Sequence, residues 1–305
     1  MFFRNLTLFR FPSACAPELQ GVALEMALGV LLLKAPGPLE LQSTGFVSPM
    51  GPSELELSRT LMDATFITLG EERKLLPGSV LQRELSKRLD HIRDTEGRNP
   101  GARERKRLRD EILTTLLPQA FVQARRLHGF LDLASGWAVI DTSSRKQGET
   151  YVTRIREALG SFPAVPINAE TSPRALMTAW VDGEPLPEGF ALGDRAELRD
   201  PVDGGARVTL RDQELGAEEV LEHLKGGKQV FALELIFEGR LSFVLGEDLV
   251  LRKLRFLEAA TEALEHGERD NQRAEFDAVS ALQVGELRRL LGRLEAVLQI
   301  SKAEG

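Results

Sequence analysis

Two apolar runs, KQVFALELIF at residues 228–237 and GRLSFVLG at residues 239–246, follow one another with only a turn at Glu238 and Gly239 between them. Strands joined this tightly form a hairpin. The arrangement recurs in GFLDLASGWAVIDT, residues 129–142, where two apolar runs flank ASG. Strands and helices do not alternate strictly along the chain, and several strand pairs are joined by short turns. The predicted class is therefore α+β with antiparallel sheets, not a doubly wound parallel fold.

The remaining elements fit around those hairpins. MFFRNLTLFRF alternates as a strand does, Pro17 to about Leu32 reads as a helix, STGFVSPMG at residues 43–51 is turn-rich, and ATFITLG at residues 64–70 is a strand. Ser79 and Gln82 form a capping-box pattern ahead of Leu81, Leu85, Leu89 and Ile92, which share one helical face. GRNPG at residues 97–101 breaks that helix. Asn99 is placed to cap the next one, with Pro100 as its first residue and Leu108, Ile112, Leu113, Leu116 and Leu117 as its apolar stripe. A helical hairpin is thus expected over residues 79–117. Further on come a helix from Lys146 to Leu159, strands between Phe190 and Leu210 turning at DGG (residues 203–205), a short helix ended by Gly226, and a last helix from Val284 to Ile300. The expected domain division is 1–76 as the start of a central α+β region, 77–121 as the helical tip, 122–170 as the rest of the central region, and 171–305 as a second α+β region.

Composition restricts what such a chain does. Its 305 residues, 42% hydrophobic and 28% charged, match an ordinary soluble protein with a substantial core. The single cysteine, Cys15, excludes an intramolecular disulfide, fits a reducing compartment such as the cytoplasm, and reads as a small buried hydrophobe. The apolar run Val22–Leu33 is broken by Glu25 and Gly29 and falls short of the roughly 20 residues that span a bilayer, so no membrane partner is expected. MFFRNLTLFRF has no signal-peptide layout. No repeat of 20 to 50 residues is visible.

Catalytic signatures are missing. There is no phosphate-cradling Gly-rich loop, no strand-associated G-x-G-x-x-G and no nucleophile elbow, so no nucleotide cofactor is implied. His91, His128, His223 and His266 are scattered, away from metal-ligand spacing with one another or with Cys15. No metal ligand and no catalytic residue is nominated, although a site assembled from distant carboxylates stays open.

Charge is distributed unevenly. The chain carries a net −7, yet from Arg98 to Arg109 six basic residues stand against Glu104 alone, and residues 71–110 hold twelve basic and eight acidic side chains. A localised polyanion-binding surface needs such segregation, because phosphates neutralised by Lys and Arg release counterions. Arg73, Lys74, Arg83 and Lys87, together with Arg103, Arg105, Lys106, Arg107 and Arg109, are the phosphate contacts inferred from charge. Lys228, beside Gly226 and Gly227, is another. The competing reading is a solvated helix face with ion pairs a turn apart. Few aromatic residues lie near the run, so contact would be to phosphates rather than bases.

Several patches, in order along nearly the whole chain, resemble the recombination-associated protein RdgC family of bacteria. They include MFFRNLTLFRF, STGFVSPMG, KLLPGSVLQREL, DEILTTLLPQAF, IREALGSFPAVPI, AWVDGEPLPEGFALGDRAELRDP, LRDQELGAEEVLEHLKGGKQV and GRLSFVLGEDLVLRKLRF. The resemblance implies a homodimer closed into a ring, with the helical hairpin protruding and with duplex DNA passing through the ring or lying against its positively charged inner surface. Single-stranded DNA is left as an open alternative. It further implies sequence-independent binding, restraint of the RecA recombinase, a nucleoid-associated cytoplasmic location, and neither catalysis nor a cofactor. Phe121 matches an aromatic dimer contact of the family, and Arg211 and Gln213 match the region of a polar pair near the other contact and the DNA path. Alternatives kept beside this reading are a metal-dependent DNA-processing nuclease and a protein-interaction scaffold.

Overall fold

The computed structural model describes residues 2–202, 205–265 and 271–303. Along the chain the elements are β1 (Leu6–Arg10), α1 (Gly21–Val30), β2 (Gln42–Val47), β3 (Ser58–Leu61), β4 (Ala64–Leu75), α2 (Gly78–Glu96), α3 (Ala102–Leu116), β5 (Phe121–Asp132), β6 (Trp137–Asp141), α4 (Arg145–Leu159), β7 (Val165–Pro166), α5 (Pro173–Val181), β8 (Phe190–Arg199), β9 (Arg207–Leu210), α6 (Glu218–Lys225), β10 (Gln229–Phe237), β11 (Leu241–Gly246), β12 (Leu251–Phe256), α7 (Glu258–Glu265) and α8 (Gln272–Leu298). This is the expected α+β class with a large antiparallel sheet. Contacts divide the chain into two compact units. One is Met1–Val30, Ser48–Thr68 and Leu127–Gly305; the other is Leu31–Val47 and Leu69–Arg126.

In the first unit β1 is the hub. One edge pairs antiparallel with β6 from Leu6↔Asp141 to Arg10↔Trp137; the other meets β12 at Leu6↔Leu251 and β7 at Arg10↔Val165. Every residue of β1 is buried, so it lacks the polar face of a half-exposed strand. Arg10 is accommodated by donating to the Ser135 carbonyl at 2.8 Å, pairing with Glu295 at 3.3 Å and stacking on Trp137. α4 lies against β1 at Gly148, where a Cβ would come within 2.9 Å of Thr7.

From β12 the order continues through β11, β10 and β8 to β9, which ends the sheet. The β10–β11 turn carries positive φ at Glu238 (50°) and Gly239 (64°), as the tight hairpin requires. Leu233, Leu235, Phe243, Leu245, Leu251 and Leu254 point to one face and are covered by Met177 and Trp180 of α5, Val220 of α6, and Leu287, Leu290, Leu291 and Leu294 of α8.

Several local expectations change. Pro17 sits in a 3-10 turn, Ser13–Leu19, and extended Gln20 separates it from α1, so there is no continuous helix from Pro17. Cys15 is half-exposed in that turn rather than buried. The last helix begins at Gln272, twelve residues before Val284, because the Asn271 side chain accepts from the Ala274 N–H at 2.8 Å and caps it. Two residues of the DGG turn, and His266, lie outside the described residues. No helix among the described residues is long and apolar enough to cross a membrane.

Candidate nucleic-acid interface

The second unit holds the basic stretch on a two-helix hairpin. Leu81 of α2 and Leu108 and Ile112 of α3 are buried, which leaves the polar residues between them on the outer surface. The start of each helix differs from its sequence signal. Ser79 already lies within α2, which starts at Gly78 with the Val80 and Leu81 amides donating to the Pro77 carbonyl, so no capping box forms. Asn99 does not cap α3. Its Oδ1 accepts from Arg93 Nε at 3.1 Å, and extended Gly101 begins the helix instead, leaving Pro100 ahead of it. Gly97, at φ 66°, closes α2 by donating to Arg93 O.

Ion pairs sort the cations of this hairpin. Lys87 and Arg83 share Glu84 at 2.8 and 3.7 Å, Arg93 meets Asp90 at 3.1 Å, and Arg98 bridges Glu96 and Glu104 at 2.6 and 2.7 Å. Glu104 and then Glu96 raise the Arg98 pKa. Glu111 links the two helices through Arg88 at 3.6 Å and Arg107 at 3.3 Å. Arg105 Nε donates to the Pro100 carbonyl at 3.0 Å. The side chains of Arg103, Lys106 and Arg109 are exposed and, among the described residues, make no ion pair or hydrogen bond. They stand three residues apart, so each adjoins the previous one on the helix surface and together they make a stripe of unneutralised positive charge.

Of the other charge-inferred residues in this unit, exposed Arg73 on β4 is likewise unpaired among the described residues. Lys74 is not available to a ligand. It is 7% exposed, and its Nζ donates to the Gly37 and Pro38 carbonyls at 2.6 and 2.7 Å. The loop before β2 consumes its charge, which removes it from the phosphate set.

Phe121 opens β5, and its ring is 84% exposed, with Val122 beside it at 48%. All six residues from Phe121 to Arg126 are exposed, so this end of the strand lacks cover on either face. An exposed aromatic beside a second apolar side chain is an unusual surface for water to face.

In the first unit, Arg211 is exposed just past β9 and is unpaired among the described residues. Gln213 sits in different surroundings: its Nε2 donates to Glu219 at 3.1 Å, and it lines a depression shared with Asp194, Asp212, Glu214 and Glu234. Burial, and then Asp194, push the Glu234 carboxyl above its usual pKa. The structure thus does not bring Arg211 and Gln213 into one basic site. Lys228 is half-buried, with its N–H donating to His223 O.

The sequence reading did not assign β12 as a strand. LRKLRF places its leucines three apart, a helical interval, because Lys253 occupies a bulge at φ 53° that adds a residue to the strand. Among the described residues, no group of three or more His, Cys, Asp or Glu side chains could hold a metal ion.

The chain is an antiparallel α+β protein with a charge-segregated helical hairpin, and comparison with known proteins places it more closely. The family model described as "Putative exonuclease, RdgC" matches residues 1–301. Recombination-associated proteins RdgC from Xanthomonas campestris pv. campestris (strain B100) and Stenotrophomonas maltophilia (strain R551-3) are each 50% identical over 305 residues, covering the whole of both chains. The chain belongs to the RdgC family of recombination-associated proteins.

Proposed function

We propose that this chain is a non-catalytic DNA-binding protein that grips duplex DNA by its phosphates, largely without regard to sequence. It acts as a homodimer closed into a ring and restrains recombination by competing with RecA for DNA. The observation that carries the binding is the stripe of Arg103, Lys106 and Arg109, exposed and unneutralised in a protein of net charge −7. Arg73 adds a further free charge. Arg83, Lys87 and Arg107 join by exchanging exposed carboxylate partners for phosphate, which costs little because exposed ion pairs contribute little stability, and Arg105 joins through the guanidinium N–H groups that the Pro100 carbonyl does not use. Arg211 and Lys228 extend the set into the first unit. An acidic remainder repels stray polyanions and leaves attraction local.

The exposed ring of Phe121 supports self-association, since a large apolar side chain anchored in a partner's pocket is the usual centre of an interface. Competition with RecA and a nucleoid-associated location rest on family resemblance.

A salt titration of binding to linear and circular duplex of one sequence tests this reading. Affinity is expected to fall steeply with salt, and circles are expected to dissociate more slowly than linear molecules. Equal dissociation would remove the ring. Labelled DNA incubated with Mg²⁺ or Mn²⁺ is expected to stay intact; shortening of the strands would replace the non-catalytic reading with the exonuclease in the family description. RecA-driven strand exchange is expected to slow as this protein is added and to recover with excess DNA.

A further inference from the structure

We infer that the first unit carries a second phosphate seat on the sheet face opposite its helices, formed by Arg207, Arg211 and Lys253 around a depression of about 270 Å³. The inference rests on the DNA-binding reading and deepens it. It begins from the sidedness of the strands. Ala196 and Leu198 of β8, Leu210 of β9 and Leu251 and Leu254 of β12 belong to the apolar core, so Glu197, Arg207, Thr209, Arg211 and Lys253 fall on the other side.

Lys253 is placed there by a distortion. Pairing steps from Ser242↔Arg255 to Val244↔Arg252, so Lys253 and Leu254 together oppose Phe243. Lys253 takes φ 53°, a conformation that costs free energy for any residue with a Cβ. Bulges re-aim side chains, and this one puts exposed Lys253 on the lining of the depression.

The electrostatics are unbalanced. Besides Arg195, which pairs with carboxylates beyond the lining, Arg207, Arg211 and Lys253 face one carboxylate there, Glu197. Glu197 is itself divided between Arg207 at 3.1 Å and Arg199 at 2.5 Å. Arg195 is engaged by Asp194 at 3.3 Å, Glu234 at 3.9 Å and Asp212 at 4.0 Å, whereas Arg211 and Lys253 have no side-chain partner among the described residues. An anion seated there would meet several donors at once, including the exposed Thr209 hydroxyl. The lining contains no aromatic side chain, so nothing would stack on a base. A backbone phosphodiester fits this chemistry better than a free nucleotide does.

The test uses Lys253→Gly combined with Arg207→Gln in the full chain. Glycine accepts positive φ, so the Lys253 change removes the charge without disturbing the bulge, and the melting temperature should not fall. The double variant should bind duplex DNA more weakly, and the slope of log affinity against log salt should drop by about 2, roughly one per lost contact. Lys253→Arg should keep the wild-type slope. Unchanged affinity and slope in the folded double variant, alongside lost binding in Arg103→Glu/Lys106→Glu/Arg109→Glu, would overturn the seat and leave the DNA-binding reading standing. A wild-type protein that retains no duplex at low salt would overturn that reading and the seat together.

Discussion

The Arg288 guanidinium holds both carboxylate oxygens of Asp132, at 2.8 and 2.9 Å, tying α8 to the turn between β5 and β6. Asp132 is almost fully buried and also accepts from the Ser135 hydroxyl at 2.6 Å and the Ala134 amide at 3.2 Å. Arg288→Ala strands that carboxylate. The expected loss of stability is about 3 kcal/mol, read as a lower urea midpoint at unchanged m-value.

Charge reversal of Arg103, Lys106 and Arg109 should leave thermal stability nearly unaltered, because all three side chains are exposed and unpaired. Binding to unrelated duplexes should weaken alike, with a shallower salt dependence. Anisotropy titrations on two sequences check this, and loss confined to one sequence would point to base contacts instead.

Lys74→Ala should show the opposite pattern. Losing two charge-assisted hydrogen bonds to the Gly37 and Pro38 carbonyls should destabilise the second unit by about 2 to 3 kcal/mol. DNA affinity, measured well below the melting temperature, should hold. A large affinity loss in a folded Lys74 variant would return that lysine to the phosphate set.

Phe121→Ala removes a ring that is 84% exposed in the single chain, so the monomer fold should be untouched. If the ring anchors the dimer, its truncation costs about 2 kcal/mol or more of association. Sedimentation should then report dissociation at a protein concentration roughly thirtyfold higher than for the wild type.

Glu234 sets a pH dependence. Burial and Asp194 raise its pKa in the folded protein, so between the unfolded and folded values the native state holds the extra proton. The stability contributed by Glu234 is then fully present in acid and is lost as pH rises through the folded value. Glu234→Gln should melt above the wild type near neutral pH, and the difference should close in acid. Differential scanning at several pH values measures it.

Local signals were legible wherever one short stretch decides the outcome. GFLDLASGWAVIDT became β5 and β6, and the Lys146–Leu159 helix appears as α4, capped by Ser144, because turns and caps act within a few residues. What depends on distant partners was hidden. Nothing near Lys74 announces carbonyls at residues 37 and 38, and only the packing of α2 on α3 lets Glu111 neutralise Arg88. The bulge at Lys253 disguised β12 by giving a strand a helical interval. Charge segregation marked the basic hairpin, but composition alone did not show which of its cations are already spent.

The position of β1 has a consequence for synthesis. Its neighbours are β6, β7 and β12, and its arginine is closed over by Glu295, near the far end of α8. At typical ribosomal rates the strand waits on the order of half a minute for the last of these to emerge. Throughout that interval LTLF is an unclaimed adhesive segment, so the nascent chain should depend on holding chaperones more than its final stability suggests. Removing those few residues would shorten the chain very little and would leave three strands without the neighbour they share.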